Sequence, residues 1–515
     1  MGESLLRRIK PWHIFLALVI ISIVPRLMLL NAGLFHHDSV RFARTVEYPF
    51  ESGNFLDLFR DDFMNLRVGY LLYNFATYTF FHFFLGHETA EFSTLFAGAL
   101  AASLAVGMLF LFLRQLYRSN FVSISSALLF SFFPLFLSFS TYGKEHGAEI
   151  FLFLGSLYFF HRGVGEKKLR LFLYSGIFLG YFVLLRESAI LYMPLYLLFV
   201  VSYMVKFKGY APSLVISPSW FNRKNLLAFF SPFLILFLIS YLWAGVLARI
   251  LLFVFHPEAD FENRSNFMGF FSENFFQAVT DVNVALPLLF IILSVVGLLY
   301  MIREKKQFTF FFIAWLLHFF YFANTGSYAP RLLAFPLVPL IFFGAAGLWW
   351  IYTSYKTVAI LGVVALCVSM LVIAYPVLSE RHENFGYKDL FSLYENVSQP
   401  GSVIYFYECG MLNYYSERGG CQGLLLVVES CTADWCSYNM EKVERITSLV
   451  ENGTEVYVSM QGGADENDHQ FLSETFDLET VGQVEFEAWR QFSYGIDKTQ
   501  DTLVRLHPKS TESLS

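Results

Sequence analysis

The chain has 515 residues, of which 56% are hydrophobic and only 15% charged, and its mean hydropathy is +0.50. A soluble domain of this length has no use for so much apolar surface, so composition excludes a soluble globular enzyme and implies a polytopic membrane protein. From Ser379 onward there are 23 acidic and 9 basic residues, whereas the preceding part holds 19 acidic and 27 basic, so two regions with different solvents are expected: 1–378 in the membrane and 379–515 in water.

Taken in chain order, apolar runs near 14–31, 93–113, 121–141, 148–161, 170–185, 188–205, 226–255, 285–302, 308–323, 332–352 and 357–378 predict about eleven transmembrane helices. Run 148–161 is short and run 226–255 long for a span, and tilt or a bend accommodates both. The first run follows Arg7, Arg8 and Lys10 but has no small-residue cleavage site, so it reads as a retained span rather than a signal peptide.

Segment 67–85 decides the topology. If it spans, positive charge scatters over both faces. If it lies along the outer interface, as its Tyr, Phe and His content suits, Arg114, Arg118, Arg162 to Arg170, Lys206 to Lys224, Arg303 to Lys306 and Lys356 all fall inside. The expectation is then an integral, multi-pass protein with a cytoplasmic N-terminus and an extracellular or lumenal C-terminal domain. Asn-x-Ser/Thr sequons at Asn263, Asn396 and Asn452 fall on that outer side.

On the outer face the loop and interfacial segment 32–92 begins with His36, His37 and Asp38. An acid at the mouth of a span is costly there and is a functional candidate, although it would also serve as an N-cap for a helix starting near Ser39. His37 is an accessory candidate. Neighbouring side chains diverge, so His36, His37 and Asp38 alone do not make a zinc site. The short turn after the third span carries Lys144, Glu145 and His146, with Glu149 one helical turn further on the same face. This is either a hydrated turn or a second acidic site whose carboxyls share an acceptor hydroxyl or a divalent cation; the metal is left unknown. Arg186 in a tight outer turn, and Arg331 after Tyr328, either snorkel to headgroups or grip a phosphate; Lys144 is a weaker member of that set.

The tail reads as a small α/β domain. Val403 starts a strand, Asn439 to Val450 has helical periodicity, and Glu455 starts a second strand. Its four cysteines, Cys409, Cys421, Cys431 and Cys436, fit one or two disulfides, free thiols or a metal site. No Gly-rich phosphate loop, nucleophile elbow or basic nucleic-acid patch is present in the sequence.

The order of these motifs resembles the class C glycosyltransferases, multispanning enzymes that use a polyprenyl-phosphate sugar, and within them the protein O-mannosyltransferase and aminoarabinose-transferase-like branch. The residues that carry the resemblance are Asp38 in the first outer loop, interfacial segment 67–85 ending at Leu85 and Gly86, Lys144-Glu145-His146 after the third span, Arg186 to Pro194, and Tyr328 and Arg331 before Pro336 and Pro339. They cover about 1–350. Ser39 stands where such enzymes often have a second acid, and the second motif lacks an Asp. The resemblance implies a dolichyl- or other polyprenyl-phosphate sugar as donor and a protein, glycan or lipid hydroxyl as acceptor, as in protein glycosylation by a mannosyltransferase. It also implies inversion at the anomeric carbon with Asp38 as base and Glu145 assisting, and membrane lipids but no nucleic acid as partners. A transporter or flippase is the alternative from another class. It calls for charged or broken helices at mid-membrane, and Arg249 is the main such charge. A non-catalytic scaffold with an outer binding domain is the third.

Overall fold

The computed structural model describes residues 10–34, 37–59, 67–85, 89–185, 187–203, 205–208, 211–214, 222–243, 270–304, 308–324, 330–383, 386–406, 421–423, 440–460, 472–488 and 497–509. They fall into two compact units. The first comprises 1–30, 45–380 and 491–494, and the second 31–44, 381–490 and 495–515.

The first unit is helical. Its helices are α1 (Pro11–Met28), α2 (His37–Ser52, which begins in the second unit), α3 (Val68–Leu85), α4 (Ala90–Tyr117), α5 (Asn120–Phe132), α6 (Pro134–Ser140), α7 (His146–Glu166), α8 (Leu169–Leu185), α9 (Met193–Val201), α10 (Arg223–Trp243), α11 (Glu273–Ala285), α12 (Leu288–Arg303), α13 (Thr309–Ala323), α14 (Val338–Ser354) and α15 (Lys356–Glu383). A short hairpin of β1 (Val205–Lys208) and β2 (Ala211–Leu214) joins α9 to α10. Helix stands at each of the eleven expected span segments, in whole or in part. Among the described residues, α1, α4 and α15 are each long and apolar enough to cross a membrane. The bent pairs α5–α6 and α11–α12 bring that number to five if each pair is one span.

The local chemistry explains where the helices depart from the apolar runs. Segment 121–141 was expected as one helix, but it breaks at Phe133, and α6 turns 58° from α5. Pro134 has no N–H to donate and pushes Phe133 out of the helical region, to φ −57° and ψ 116°. Helix α7 outruns its short apolar stretch because it takes in polar ends, His146 to Glu149 at one and Arg162 to Glu166 at the other. Residues 244–255 of the long run lie outside the described residues.

Besides the many buried Phe and Leu side chains, small and hydroxyl residues let helix backbones in this unit approach closely. Ser156 of α7 and Ser175 of α8 each donate to the other's backbone carbonyl, at 2.8 and 2.9 Å, and both hydroxyls meet Tyr196 OH of α9. Gly297 of α12 faces Gly347 of α14 so closely that a Cβ on Gly297 would fall 2.6 Å from the Gly347 nitrogen. Arg26 is fully buried near the end of α1. It donates to Ser140 Oγ (2.8 Å), to the Ser22 carbonyl (2.7 Å) and to the Ser131 carbonyl (3.2 Å), and its guanidinium lies 5.2 Å from the Phe136 ring centroid. One side chain thus clasps α1 to both limbs of the α5–α6 break.

The second unit holds α16 (Gly386–Val397), α17 (Met440–Glu451) and a five-stranded mixed sheet in the order β4-β3-β5-β7-β6. Strand β3 (Val403–Phe406) is parallel to both β4 (Cys421–Gly423) and β5 (Val456–Ser459). Strands β6 (Phe476–Ala488) and β7 (Asp497–Pro508) form a long antiparallel hairpin, with a register shift between Thr480 and Gly482. Strands were expected at Val403 and Glu455 and a helix at Asn439 to Val450; β3 starts at Val403, β5 starts one residue after Glu455, and α17 covers Met440–Glu451. Val443, Ile446 and Val450 lie three and four residues apart on α17 and enter one core with Tyr405, Val456, Val458 and Leu506. Cys409, Cys431, Cys436 and the side chain of Cys421 lie outside the described residues.

Candidate active site

The turn Thr141–Glu145 leads into α7 and is buried throughout. It is held by close backbone approach to α4. Gly143 sits at φ +68°, a conformation costly for other residues, and a Cβ there would lie 3.0 Å from Thr94 Cγ2. One turn into α7, a Cβ on Gly147 would come within 2.6 Å of the Ala102 nitrogen, so α7 meets α4 nearly backbone to backbone. Four polar side chains on this rigid segment are buried: Lys144, Glu145, His146 and Glu149.

Glu145 occupies the N-cap position of α7 but makes no side-chain cap bond. Its carboxylate turns instead to Arg67, at the head of α3, with Nη1 3.5 Å from Oε1 and both side chains almost wholly buried. His146 Nδ1 lies 3.4 Å from Glu149 Oε2. Glu149 lies in the first turn of α7, where the helix dipole favours a negative charge.

Arg331 belongs to the 3₁₀ turn Pro330–Leu333. Trp315, fully buried in α13, donates its indole N–H to the Phe335 carbonyl at 3.0 Å, which fixes the chain just after that turn. The Phe335 ring packs 4.0 Å, centroid to centroid, from Tyr192 and 5.2 Å from Phe153 of α7. These aromatic contacts tie the Arg331 segment to the helix that carries His146 and Glu149. The result is a small cavity lined by His146, Glu149, Tyr192, Phe322, Arg331 and Phe335. A buried acid, a histidine and a guanidinium thus face one space with an aromatic wall.

The structure therefore brings together His146, Glu149 and Arg331 in one cavity, with Lys144 and Glu145 buried in the turn beside it. Arg186, Tyr328 and His36 lie outside the described residues, as does the side chain of His37. Asp38 stands in the first turn of α2, in the second unit, and is 3% exposed. In that unit the Ala32 N–H donates to the Arg381 carbonyl at 2.8 Å, and Lys388 Nζ donates to the Ala32 carbonyl at 3.0 Å, so the chain leading to Asp38 is anchored to the last turn of α15 and to α16.

Three further residues escaped sequence reasoning as parts of a site. Arg67 is one of several charged residues in segment 32–92, and only its long-range pairing with Glu145 sets it apart. Tyr192 is one of 29 tyrosines and had no signal. Asp281 is 2% exposed on α11, a helix that packs against the Arg331 turn, and Gln277 Nε2 donates to its Oδ1 at 3.1 Å. An acid just before a long apolar run could have marked it. Among the described residues no three His, Cys, Asp or Glu side chains are grouped so as to hold a metal ion.

Residues 72–235 match the family model of dolichyl-phosphate-mannose-protein mannosyltransferases. The fold is similar to that of ArnT from Cupriavidus metallidurans, solved bound to undecaprenyl phosphate, with a TM-score of 0.58 and 13% identity over 95% of this chain and 97% of that one. It is also similar to the archaeal oligosaccharyltransferase AglB from Archaeoglobus fulgidus, solved with an inhibitory peptide and a dolichol-phosphate, at 0.56 and 12% over 94% of this chain and 74% of that one. A third similar structure is the arabinofuranosyltransferase AftD from Mycobacteria, at 0.51 and 10%, covering 95% of this chain but 40% of that one. No curated protein matches the sequence at a significant level.

Proposed function

We propose that this chain, which has the class C fold of polyprenyl-phosphate-dependent glycosyltransferases and matches one of their family models over residues 72–235, transfers a sugar from a polyprenyl-phosphate donor to an acceptor hydroxyl on the outer face of the membrane. The observation that carries this reading is the cavity in which Arg331 meets His146 and Glu149. A guanidinium beside an acid–histidine pair can receive a phosphate on one side and a hydroxyl on the other.

In the proposed reaction the acceptor oxygen attacks the anomeric carbon while the bond from that carbon to the donor phosphate oxygen breaks. The acceptor proton passes to a carboxylate, and polyprenyl phosphate departs with one more negative charge. Attack from the face opposite the leaving group inverts the anomeric configuration. We assign Asp38 as the base, from its place in the first outer loop. Arg331 takes the growing phosphate charge, with Arg186 and Lys144 as further basic contributors and Tyr328 as an accessory residue. His146 and Glu149 hold the acceptor hydroxyl, and Glu145, tied to Arg67, sets the pose of the turn that carries them. A divalent cation shared by these carboxyls would make transfer sensitive to chelator, which titration of activity with chelator tests. Mannose as the sugar and protein as the acceptor are the first choices to assay, on the strength of the matched family description.

The test uses the full chain in sealed vesicles with a labelled polyprenyl-phosphate sugar and a pool of protein, glycan and lipid acceptors. Label covalently transferred to an acceptor, and lost in Glu149→Gln and Arg331→Ala, is the expected result. Counterflow of label across the vesicle wall with no covalent transfer would overturn the reading in favour of a flippase.

A further inference from the structure

The candidate site occupies one end of α4, where Gly98 and Ala102 meet the Thr141–Glu145 turn and α7. At the other end of the same helix lies a second, unrelated cavity of about 360 Å³, lined by Arg114, Gln115, Arg118, Asn120 and Tyr158, with Pro11 and Leu111 on its apolar side. Gly98 and Arg114 are sixteen residues apart in α4, roughly 24 Å at about 1.5 Å per residue. That approaches the roughly 30 Å thickness of a bilayer's hydrocarbon core. The two cavities therefore lie near opposite ends of a helix long and apolar enough to cross a membrane. A volume of this order falls in the range of about 300–1,000 Å³ typical of small-ligand sites.

The chemistry of the lining is that of an anion site. Arg114 Nε donates to Asn120 Oδ1 at 2.8 Å, which aims the guanidinium, and among the described residues its two terminal nitrogens make no other hydrogen bond. Arg118 ends α4 in the left-handed region at φ 53° and is exposed, and its side chain has no ion-pair partner among the described residues. Asn120 is the first residue of α5, capped by Ser119 Oγ, which accepts from the Val122 N–H at 3.3 Å, so the positive end of that helix dipole opens beside the two arginines. Glu166, the nearest acid in sequence on α7, is occupied by Arg162 and by Lys168 Nζ at 2.7 Å. Arg162 in turn donates to the Tyr158 hydroxyl at 3.1 Å. Two guanidinium forks around one cavity match the several oxygens of a tetrahedral phosphate better than a single planar carboxylate.

The depth of the cavity points to the source of that phosphate. Pro11 lines it, and Trp12 beside it is 54% exposed, as befits an aromatic anchor at the headgroup level. From there the exposed side chains of Leu16, Ile20 and Val24 run along α1 as an apolar track. We infer that Arg114, Arg118 and Asn120 form a binding site for a phosphate group, carried by an anionic phospholipid, at the membrane face opposite the transfer site. The lipid's acyl chains lie along α1, and the site does not depend on the transfer reaction.

Native mass spectrometry of the full-length protein tests this, with phosphatidylglycerol, phosphatidylcholine or inorganic phosphate added in separate arms. Phosphatidylglycerol should be retained in preference to phosphatidylcholine. Its retention should fall roughly fivefold in Arg118→Gln and roughly 25-fold in Arg114→Gln/Arg118→Gln, as expected for basic residues beside an anionic headgroup. Arg170→Gln, a basic change outside the cavity, should leave it intact. Displacement of the lipid by millimolar inorganic phosphate would uphold the phosphate site and assign it to a soluble ligand instead. Equal retention of the two lipids by the wild type, or wild-type retention of phosphatidylglycerol by Arg118→Gln in a normally folded protein, would overturn the inference. Arg118 is exposed, so that single variant keeps the test decisive even if the double variant fails to fold.

Discussion

Arg67 and Glu145 are 78 residues apart in sequence, yet Arg67 Nη1 lies 3.5 Å from Glu145 Oε1 in a setting that leaves both side chains almost wholly buried. The pair joins the head of α3 to the N-terminus of α7, and so couples α3 to the turn beside the candidate cavity. Removing one member of a buried pair is strongly destabilising, by about 3–5 kcal/mol, because the other charge stays behind in a dry place. Arg67→Ala should therefore lower the unfolding midpoint and sugar transfer together. Arg67→Lys should keep much of the stability but less of the alignment. A variant with Arg67→Ala that melts and transfers like the wild type would remove the pair from the account.

Asp38 carries the proposed base. Asp38 lies inside the first turn of α2, which begins at His37, so it does not cap a helix starting near Ser39 as the sequence allowed; Asp38→Asn keeps the size of the side chain while removing its charge, and folding should be retained. Transfer should fall by about 10²–10⁴-fold, the usual contribution of a positioned base. A membrane assay with a labelled donor measures this, and activity near wild type would leave Asp38 as a first-turn helix residue with no part in transfer.

Arg331 is proposed to contact the donor phosphate. Arg331→Ala should raise the apparent KM for the lipid donor more than Arg331→Lys does, because lysine keeps the charge but loses the two-pronged donor geometry. Identical KM values for all three proteins would return Arg331 to the role of a snorkelling anchor.

Arg26 is expected to act through position. Its partners are hydroxyls and carbonyls of α1, α5 and α6, together with the Phe136 ring. Arg26→Met fills similar space but leaves the Ser131 carbonyl and Ser140 hydroxyl without this donor, each lost buried hydrogen bond costing about 1–3 kcal/mol. The midpoint of thermal unfolding should drop, while the KM for donor should change less than in Arg331→Ala. A fall in midpoint smaller than that of an exposed control such as Arg170→Met would contradict the clasp.

Glu455, the residue before β5, gives the C-terminal unit a defined pH dependence. Burial works to raise its pKa, but hydrogen bonds from Ser402 Oγ, the Gln399 N–H and Tyr457 OH, with the charge of Arg505, outweigh it and hold the carboxyl below its ordinary value of 4.5. A carboxyl depressed in the folded state stabilises fully above its unfolded pKa, and that stability is lost as pH falls through the folded value. The protection factor of the β5 amides, with the intrinsic pH dependence of exchange divided out, should therefore be level down to about 4.5 and fall below it. In Glu455→Gln the protection should be lower at neutral pH and its acid dependence flatter. An unchanged acid limb in that variant would assign the effect to other carboxyls.

The sequence by itself determined the apolar character of the first unit, the acidic tail and the segments in which most of the long helices lie. Hydropathy is summed along the chain, and a run of apolar side chains needs no knowledge of its neighbours to be read. It also singled out Glu145, His146, Glu149 and Arg331, because charge within or beside such runs is conspicuous. What it did not contain was the choice among their roles. Glu145 and Glu149 are equivalent as letters, but one turns to Arg67 and the other faces a cavity with Arg331. The break at Pro134 was visible as a proline, whereas its 58° bend and the Arg26 clasp upon it depend on three helices meeting. The approach of Gly147 to Ala102 likewise belongs to packing, where the absence of a Cβ at one position lets two backbones close and sets where the buried acids can reach. Tertiary structure decided these points because ion pairs and cavities are made by residues distant along the chain, and no local pattern records which of them will meet.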